Sequence, residues 1–237
     1  MRITFRFRSI PLIATVIVVA LGIALGQWQT RRALEKDAIE ARFASREAAP
    51  PLTPGTVLLP AEEAEYRHVV VSGEFRADWP VYLDNRPHQG VAGFYVLMPF
   101  RIAGSERYIL VARGWVPRDA ADRTRLPAIA TPAGIVRIEG VARRNPPRSL
   151  QLGQADALRP NAIVQNADVA GFAAASGLAL QPFLLEQLSD TGDGLVRDWP
   201  RPSSGAETHR GYAFQWYALA LMALIFFIAT GFRNGKK

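Results

Sequence analysis

The chain has no cysteine among its 237 residues, which excludes disulfide bonds, thiolate metal sites, iron–sulfur clusters and covalently attached c-type haem. Its three methionines are not clustered, which argues against a copper chaperone with sulfur ligands. It also lacks a glycine-rich phosphate loop, an HExxH motif and a GxSxG motif. The sequence thus contains no catalytic constellation, and it predicts a protein that is not an enzyme.

Two long uncharged apolar runs, one at each end, are the main feature that the chain does have. No charged residue occurs from Ser9 to Thr30 or from Gly211 to Phe232. A helix of 22 residues is about 33 Å long, enough for a hydrocarbon core of roughly 30 Å. The sequence therefore predicts a membrane hairpin with an aqueous domain between its two helices. The predicted segments are an N-terminal tail (1–9), a first transmembrane helix (10–30), an external domain (31–210), a second transmembrane helix (211–232) and a C-terminal tail (233–237).

The formal charge of +7 is concentrated in the two tails. The middle segment holds 22 basic and 21 acidic residues, so it gives no signal for nucleic-acid binding. Positive-inside bias places both termini in the cytoplasm, although Arg31 and Arg32 at the outer end of the first helix oppose this assignment. The excess of arginine over lysine and the lack of an amphipathic transit segment favour a bacterial inner membrane, with the domain in the periplasm. The basic tail residues are Arg2, Arg6, Arg8, Arg233, Lys236 and Lys237.

The first apolar run has two interpretations. Its basic start and the small-x-small sequence Ala24-Leu25-Gly26 also fit a cleaved signal peptide. Gly22 and Gly26, however, form a GxxxG spacing that suits close packing of a second helix. This spacing favours an anchor that is retained in the mature protein.

The middle segment predicts a β-rich domain with a small helical part. Residues 31–48 are rich in Ala and Glu and extend the first helix outward as far as Pro50. Asp168 is an N-cap candidate for a short alanine-rich helix that ends near Ser176. Six short apolar segments separated by turn signals predict a mainly antiparallel, barrel-like sheet, with Gly114 at a β-bulge. The six predicted strands lie at His68–Phe75, Val81–Leu83, Phe94–Leu97, Tyr108–Val116, Ile135–Val141 and Phe183–Leu188.

One of the three histidines is distinguished by its position. His209 comes just before the second apolar run, and on a helix it shares a face with Tyr212 and Trp216. In an antiparallel hairpin, Gln27 and Trp28 reach the same outer level. Two interpretations are open: Trp and Tyr are common anchors at bilayer interfaces, and an imidazole backed by aromatic residues is a ligand for the iron of an amphipathic haem.

Four segments, spread in order over nearly the whole chain, carry a resemblance. They are Leu25–Gln29 with Arg32 and Lys36; Gly73-x-Phe75 with Tyr82–Arg86; Val111–Pro117; and His209-x-x-Tyr212-x-x-Gln215-Trp216. Together, between two terminal apolar runs, they resemble the surfeit-locus-one family of cytochrome c oxidase assembly factors. One departure is that similar proteins often carry an aromatic residue just before the lysine matching Lys36, where this chain has Leu34-Glu35.

The resemblance implies an assembly factor for haem–copper cytochrome c oxidase that helps to place haem a in the catalytic subunit and binds it transiently. It also implies that His209 is the favoured ligand of the haem iron, with Tyr212 and Trp216 beside it. The expected partners are the oxidase catalytic subunit, the lipid bilayer and haem a synthase. A haem-free scaffold for a nascent oxidase subunit is the alternative, whereas a haem-modifying enzyme would need more ligands inside the spans.

Two arginines at predicted strand ends also have two interpretations. Arg86 and Arg113 could pair with haem propionates, because a guanidinium group fits a carboxylate bidentately. Alternatively, each forms an ordinary internal pair with a carboxylate or supports a buried turn.

Overall fold

The computed structural model describes residues 7–150, 156–200 and 205–233, and the chain divides into two compact units. The helical unit contains the two chain ends, up to Arg42 and from Pro202 onward, and the β unit contains Phe43–Arg201. Most of the basic tail residues that indicate the topology lie outside the described residues. The predicted placement of tails and domain across a membrane therefore stays a prediction.

The helical unit is built from two long helices, α1 (Ser9–Glu47) and α4 (Ala206–Arg233). Both are long and apolar enough to cross a membrane. The predicted outward extension is continuous with the first span, and α1 ends before Pro50, whose ring interrupts helical hydrogen bonding. Large apolar side chains such as Ile10 and Phe214 are 80% and 73% exposed, as expected for a helix surrounded by lipid.

Two glycines bring these helices into close contact. A Cβ atom at Gly22 would lie 2.9 Å from the Cβ of Ala220, and one at Gly26 would lie 2.5 Å from the ring of Tyr217. The contacts run in opposite directions along the two helices, so the pair is antiparallel. The GxxxG prediction is confirmed as a helix-packing motif, and a chain cleaved after Gly26 would lose both contacts.

The β unit contains one mixed, mostly antiparallel sheet of seven strands. The strands are β1 (His68–Phe75), β2 (Val81–Leu83), β3 (Gly93–Ile102), β4 (Tyr108–Pro117), β5 (Val136–Arg143), β6 (Ala162–Val164) and β7 (Leu180–Gln187). Strands β1, β5, β7, β4 and β3 pair in that order, and β3 pairs again with β1, so five strands close into a ring. Strands β2 and β6 extend the sheet from β3, and the pairs β4–β7 and β2–β6 are parallel.

The predicted fold class is confirmed, because two apolar helices accompany a barrel-like sheet with a small helical part. The helical part consists of α2 (Ala61–Ala64) and α3 (Val169–Ser176). The Asp168 carboxylate caps α3 as predicted by accepting a hydrogen bond from the Gly171 N–H at 2.7 Å. Neither α2 nor β6 was among the predicted elements, since each is too short to show a periodic pattern.

The bulge predicted at Gly114 is present in β4. Val96 pairs with Gly114 whereas the next residue, Leu97, pairs with Ala112, so Arg113 is the extra residue. Gly114 has a φ angle of +154°, which glycine adopts without strain. The bulge places the Arg113 side chain in the interior, where it is completely buried.

Apolar side chains from all five ring strands fill the interior of the ring. Phe100, Ile109 and Phe183 are among those with no exposed surface. A second cluster lies between the sheet and α3, where the Phe172 ring packs 5.3 Å from the ring of Trp79. The β unit therefore has a sizeable core of its own.

The ring of strands closes where β1 pairs with β3, and this pairing leaves no room for a side chain at Gly73. A Cβ atom there would overlap the carbonyl oxygen of Arg101 on β3. We expect Gly73→Ala to destabilise the β unit by about 3 kcal/mol or more, because backbone must move to admit the methyl group. Gly55→Ala is the matched control, since a Cβ there meets nothing within 4 Å. Denaturation midpoints of the two purified variants would check this, and equal midpoints would contradict it.

Candidate functional site

His209 lies in the first turn of α4 and contacts α1. Its Nδ1 atom is 2.6 Å from Oε1 of Gln29, and both side chains are half-buried. Since an amide oxygen only accepts hydrogen bonds, this contact assigns the imidazole proton to Nδ1. With the proton on Nδ1 the lone pair resides on Nε2, and no hydrogen bond to Nε2 is found within the described part of the chain. Sequence reasoning assigned Gln29 no role beyond the Leu25–Gln29 segment, because nothing local connects residues 180 positions apart.

Charged groups hold the polar ends of the two helices together. Arg210 donates a hydrogen bond to the Asp37 carboxylate at 2.7 Å and also pairs with Glu207. Glu207 stands in the first turn of α4, where a negative charge is favourable near the helix N-terminus. Arg210 is the neighbour of His209 in the sequence, so its ion pair with Asp37 sets the position along α1 that His209 faces.

An apolar groove lies along the two helices α1 and α4. It has a volume of about 520 Å³, and its lining includes Val18, Leu21 and Gly22 from α1 and Trp216 and Phe226 from α4. Trp216 follows His209 by seven residues, which is about 10 Å along the helix axis. The groove therefore offers an almost wholly apolar surface that begins about 10 Å along α4 from the half-buried imidazole.

The three residues predicted to share one face of α4 are only partly brought together. His209 and Trp216 both contact α1 or the groove beside it. Tyr212 is 49% exposed and makes no described side-chain hydrogen bond, so it lies at the margin of this surface. That position agrees with the interfacial-anchor interpretation as well as with a contact to a ligand.

The donor set at this end of the helix pair fits a haem better than a bare metal ion. Among the described residues there is no group of three His, Asp or Glu side chains that could hold a metal ion. A porphyrin supplies four nitrogen ligands itself, so one neutral imidazole completes an axial position on its iron. His209 provides an imidazole, and the apolar groove begins about 10 Å farther along α4.

Arg86 is buried in the β unit, and its guanidinium group donates hydrogen bonds to residues in loops. Nη1 donates to the carbonyl of Asp84 at 3.0 Å and to Oγ of Ser149 at 2.7 Å. Nη2 donates to the carbonyls of Pro147 at 3.0 Å and Gln165 at 2.9 Å. Burial lowers the pKa of Arg86 from its ordinary value, against the attraction of Tyr95 and Asp84.

Arg113 is completely buried and forms an ion pair. Nη2 donates to Oδ2 of Asp193 at 2.7 Å and to the carbonyl of Ala130 at 2.9 Å, and Nη1 donates to Oγ1 of Thr131 at 2.8 Å. Its guanidinium also lies 4.4 Å from the centre of the Phe75 ring. Burial lowers the pKa of Arg113, and the nearby Asp193 carboxylate opposes that shift.

A second arginine completes this buried network. Arg197 contacts both oxygens of Asp193 at 2.6 Å, so one carboxylate bridges two guanidinium groups. Burial alone would raise the pKa of Asp193, but the hydrogen bonds from Arg197, the Leu195 N–H and Thr191 outweigh burial and lower it. The sequence did not predict this network, because Asp193 and Arg197 lie in a loop without periodicity.

The two motifs in the β unit that support the family resemblance contact each other. The indole N–H of Trp115 donates to the carbonyl of Arg86 at 2.7 Å, and Arg118 pairs with Asp84 at 3.5 Å. Arg113 forms an internal pair with a carboxylate, whereas Arg86 supports buried loops. A propionate would have to reach a buried guanidinium group whose Nη atoms already have partners in the protein.

Comparison with known proteins agrees with these motifs. The sequence model of the SURF1 family matches residues 16–221, which include most of both long helices and the entire β unit. The chain belongs to the SURF1 family. Among similar proteins of this kind is a SURF1-like protein of Monosiga brevicollis, which is 27% identical over 243 aligned residues, covering 94% of this chain and 87% of that protein.

A yeast protein is similar over a shorter region. The cytochrome oxidase assembly protein SHY1 of Saccharomyces cerevisiae is 27% identical over 181 residues. The match covers 73% of this chain but only 45% of the yeast protein. The resemblance to the SURF1 family inferred from the four sequence segments is therefore confirmed.

Proposed function

We propose that this SURF1-family protein is a membrane-anchored, non-enzymatic assembly factor for haem–copper cytochrome c oxidase. Membership of the family and the similarity to an oxidase assembly protein of yeast support this role. The proposed location is a bacterial inner membrane, with both termini in the cytoplasm and the β unit in the periplasm. The two apolar helices support the membrane anchor, and the basic tails support the orientation.

We further propose that the helix pair carries haem a as cargo for the oxidase catalytic subunit. The observation that supports this is a half-buried His209 whose Nδ1 contacts Oε1 of Gln29, about 10 Å along α4 from Trp216 in the apolar groove. Free haem a has a long apolar tail and is poorly soluble, so a carrier needs an iron ligand and an apolar surface together. In this arrangement His209 binds the iron, while Trp216 and Gly22 contribute to the apolar surface.

The β unit has a different role in this proposal. Arg86 and Arg113 are committed to internal bonds, so we assign them to the stability of the β unit rather than to propionates. The unit presents a rigid, closed sheet that is suited to contacting the nascent catalytic subunit or haem a synthase. Transfer then exchanges one axial imidazole of the carrier for those of the oxidase.

The test is an absorption spectrum of the detergent-solubilised full chain, purified from cells with and without haem a synthesis. We expect a haem a spectrum only from the first preparation. In parallel, a strain lacking the gene should show a reduced haem a content of its oxidase, restored by the wild-type chain. Restoration by a chain that never carries haem would show a haem-free scaffold, whereas unchanged oxidase in the deletion strain would contradict the assembly role.

A further inference from the structure

The hydrogen bond between Gln29 and His209 joins two side chains on different helices. The two helices are held at this level by close packing at Gly22 and Gly26 and by the ion pair between Asp37 and Arg210. The 2.6 Å distance from Oε1 to Nδ1 is short for this type of hydrogen bond. The contact therefore links the two helices at a level where other contacts also hold them together.

This bond determines which imidazole nitrogen can act as a ligand. In neutral histidine one ring nitrogen carries the proton and the other carries a lone pair. An acceptor at Nδ1 holds the proton there, so the lone pair resides on Nε2. It also restricts rotation of the ring, since turning the imidazole would break the bond.

We propose that Gln29 is a positioning residue that fixes the tautomer and orientation of His209 so that Nε2 points to an iron atom. This inference rests on the proposed function, which makes His209 the iron ligand, and it adds a residue that has had no role. Histidines that bind metals commonly donate their other N–H to a neighbouring acceptor, which raises their basicity and orients the ring. Here an amide from the opposite helix is that acceptor.

The chain offers matched variants for a test. Gln29→Leu removes the acceptor while keeping a similar size and good helix propensity. Gln29→Glu keeps an oxygen acceptor at the same position. Gln27→Leu is the control, because Gln27 is exposed on the same turn of α1.

The first measurement needs no haem. The full chain is labelled with nitrogen-15 histidine, and the tautomer of His209 is determined by NMR in detergent at a pH where imidazoles are neutral. The His209 signals are identified by their loss in His209→Asn. We expect Nδ1–H in the wild type, Gln27→Leu and Gln29→Glu, and loss of that preference in Gln29→Leu. An Nε2–H tautomer in the wild type, or no change in Gln29→Leu, would overturn the inference.

The second measurement is titration of the same purified proteins with haem a. We expect Gln29→Leu to weaken the affinity about 10- to 100-fold, with Gln29→Glu and Gln27→Leu close to wild type. Equal affinities for the wild type and Gln29→Leu would overturn the positioning role while leaving the haem site intact. No binding by a wild type with the Nδ1–H tautomer would instead overturn the proposed function.

Discussion

Replacing His209 by alanine is expected to abolish the haem a spectrum of the purified protein while leaving both units folded. The substitution removes the proposed axial nitrogen, and alanine is the residue most favourable to the helix at that position. Loss of a partner of a metal ligand already costs about 10- to 100-fold in affinity, so loss of the ligand itself should cost at least about 100-fold. Haem content per protein, measured after purification from haem-a-producing cells, checks this.

His68→Ala is the matched control for this variant. His68 lies in β1 and its Nε2 atom is 3.9 Å from Glu47, so it belongs to the β unit and has no place in the proposed site. The control should keep its full haem a content. If His209→Ala also keeps it, the axial ligand has been assigned to the wrong residue.

Replacing Asp193 by alanine is expected to cost about 3–5 kcal/mol in the free energy of unfolding of the β unit. Asp193 is the shared partner of the buried Arg113 and Arg197, so its removal leaves Arg113 without its carboxylate and Arg197 with only the exposed Asp190. A typical domain is stable by only about 5–15 kcal/mol, so a large part of the stability of the β unit is lost. Urea denaturation of the full chain in detergent, followed by near-ultraviolet circular dichroism, measures the effect.

Asp190→Ala is the control for the Asp193 variant. Asp190 also pairs with Arg197, at 3.3 Å, but its side chain is 81% exposed. Exposed ion pairs are worth about 0–1 kcal/mol, so this variant should remain close to wild type. A similar loss of stability in both variants would show that burial of the network does not increase its contribution to the free energy of unfolding.

The same network predicts how acid acts on the β unit. The pKa of Asp193 is lower in the folded protein than in the unfolded chain, so its contribution is fully present above its ordinary value of 3.8. The contribution is lost as the pH falls through the lower, folded-state pKa. The difference in stability between the wild type and Asp193→Asn should therefore be largest above pH 3.8 and should shrink as the pH falls below that value. Urea denaturation at a series of pH values measures this, and a difference that stays constant would contradict the prediction.

The elements set by local composition were the ones that could be predicted. The uncharged run from Ser9 and the Asp168 cap each depend on neighbouring residues, and both were found as expected. The strand at Ala162–Val164 was missed because only its parallel pairing with β2, about 80 residues earlier, makes it a strand. His209 could be selected by position, but its partner Gln29 is defined by helix packing alone.

The closed ring of the β unit also determines which incomplete chains can fold. β7 is the last strand in the sequence, yet it lies between β5 and β4. A nascent chain that stops before Leu180 therefore leaves both of those strands with unpaired edges, and such edges promote aggregation. Premature termination anywhere upstream of β7 should consequently give degraded or aggregated protein, and no such shortened form should retain a folded β unit.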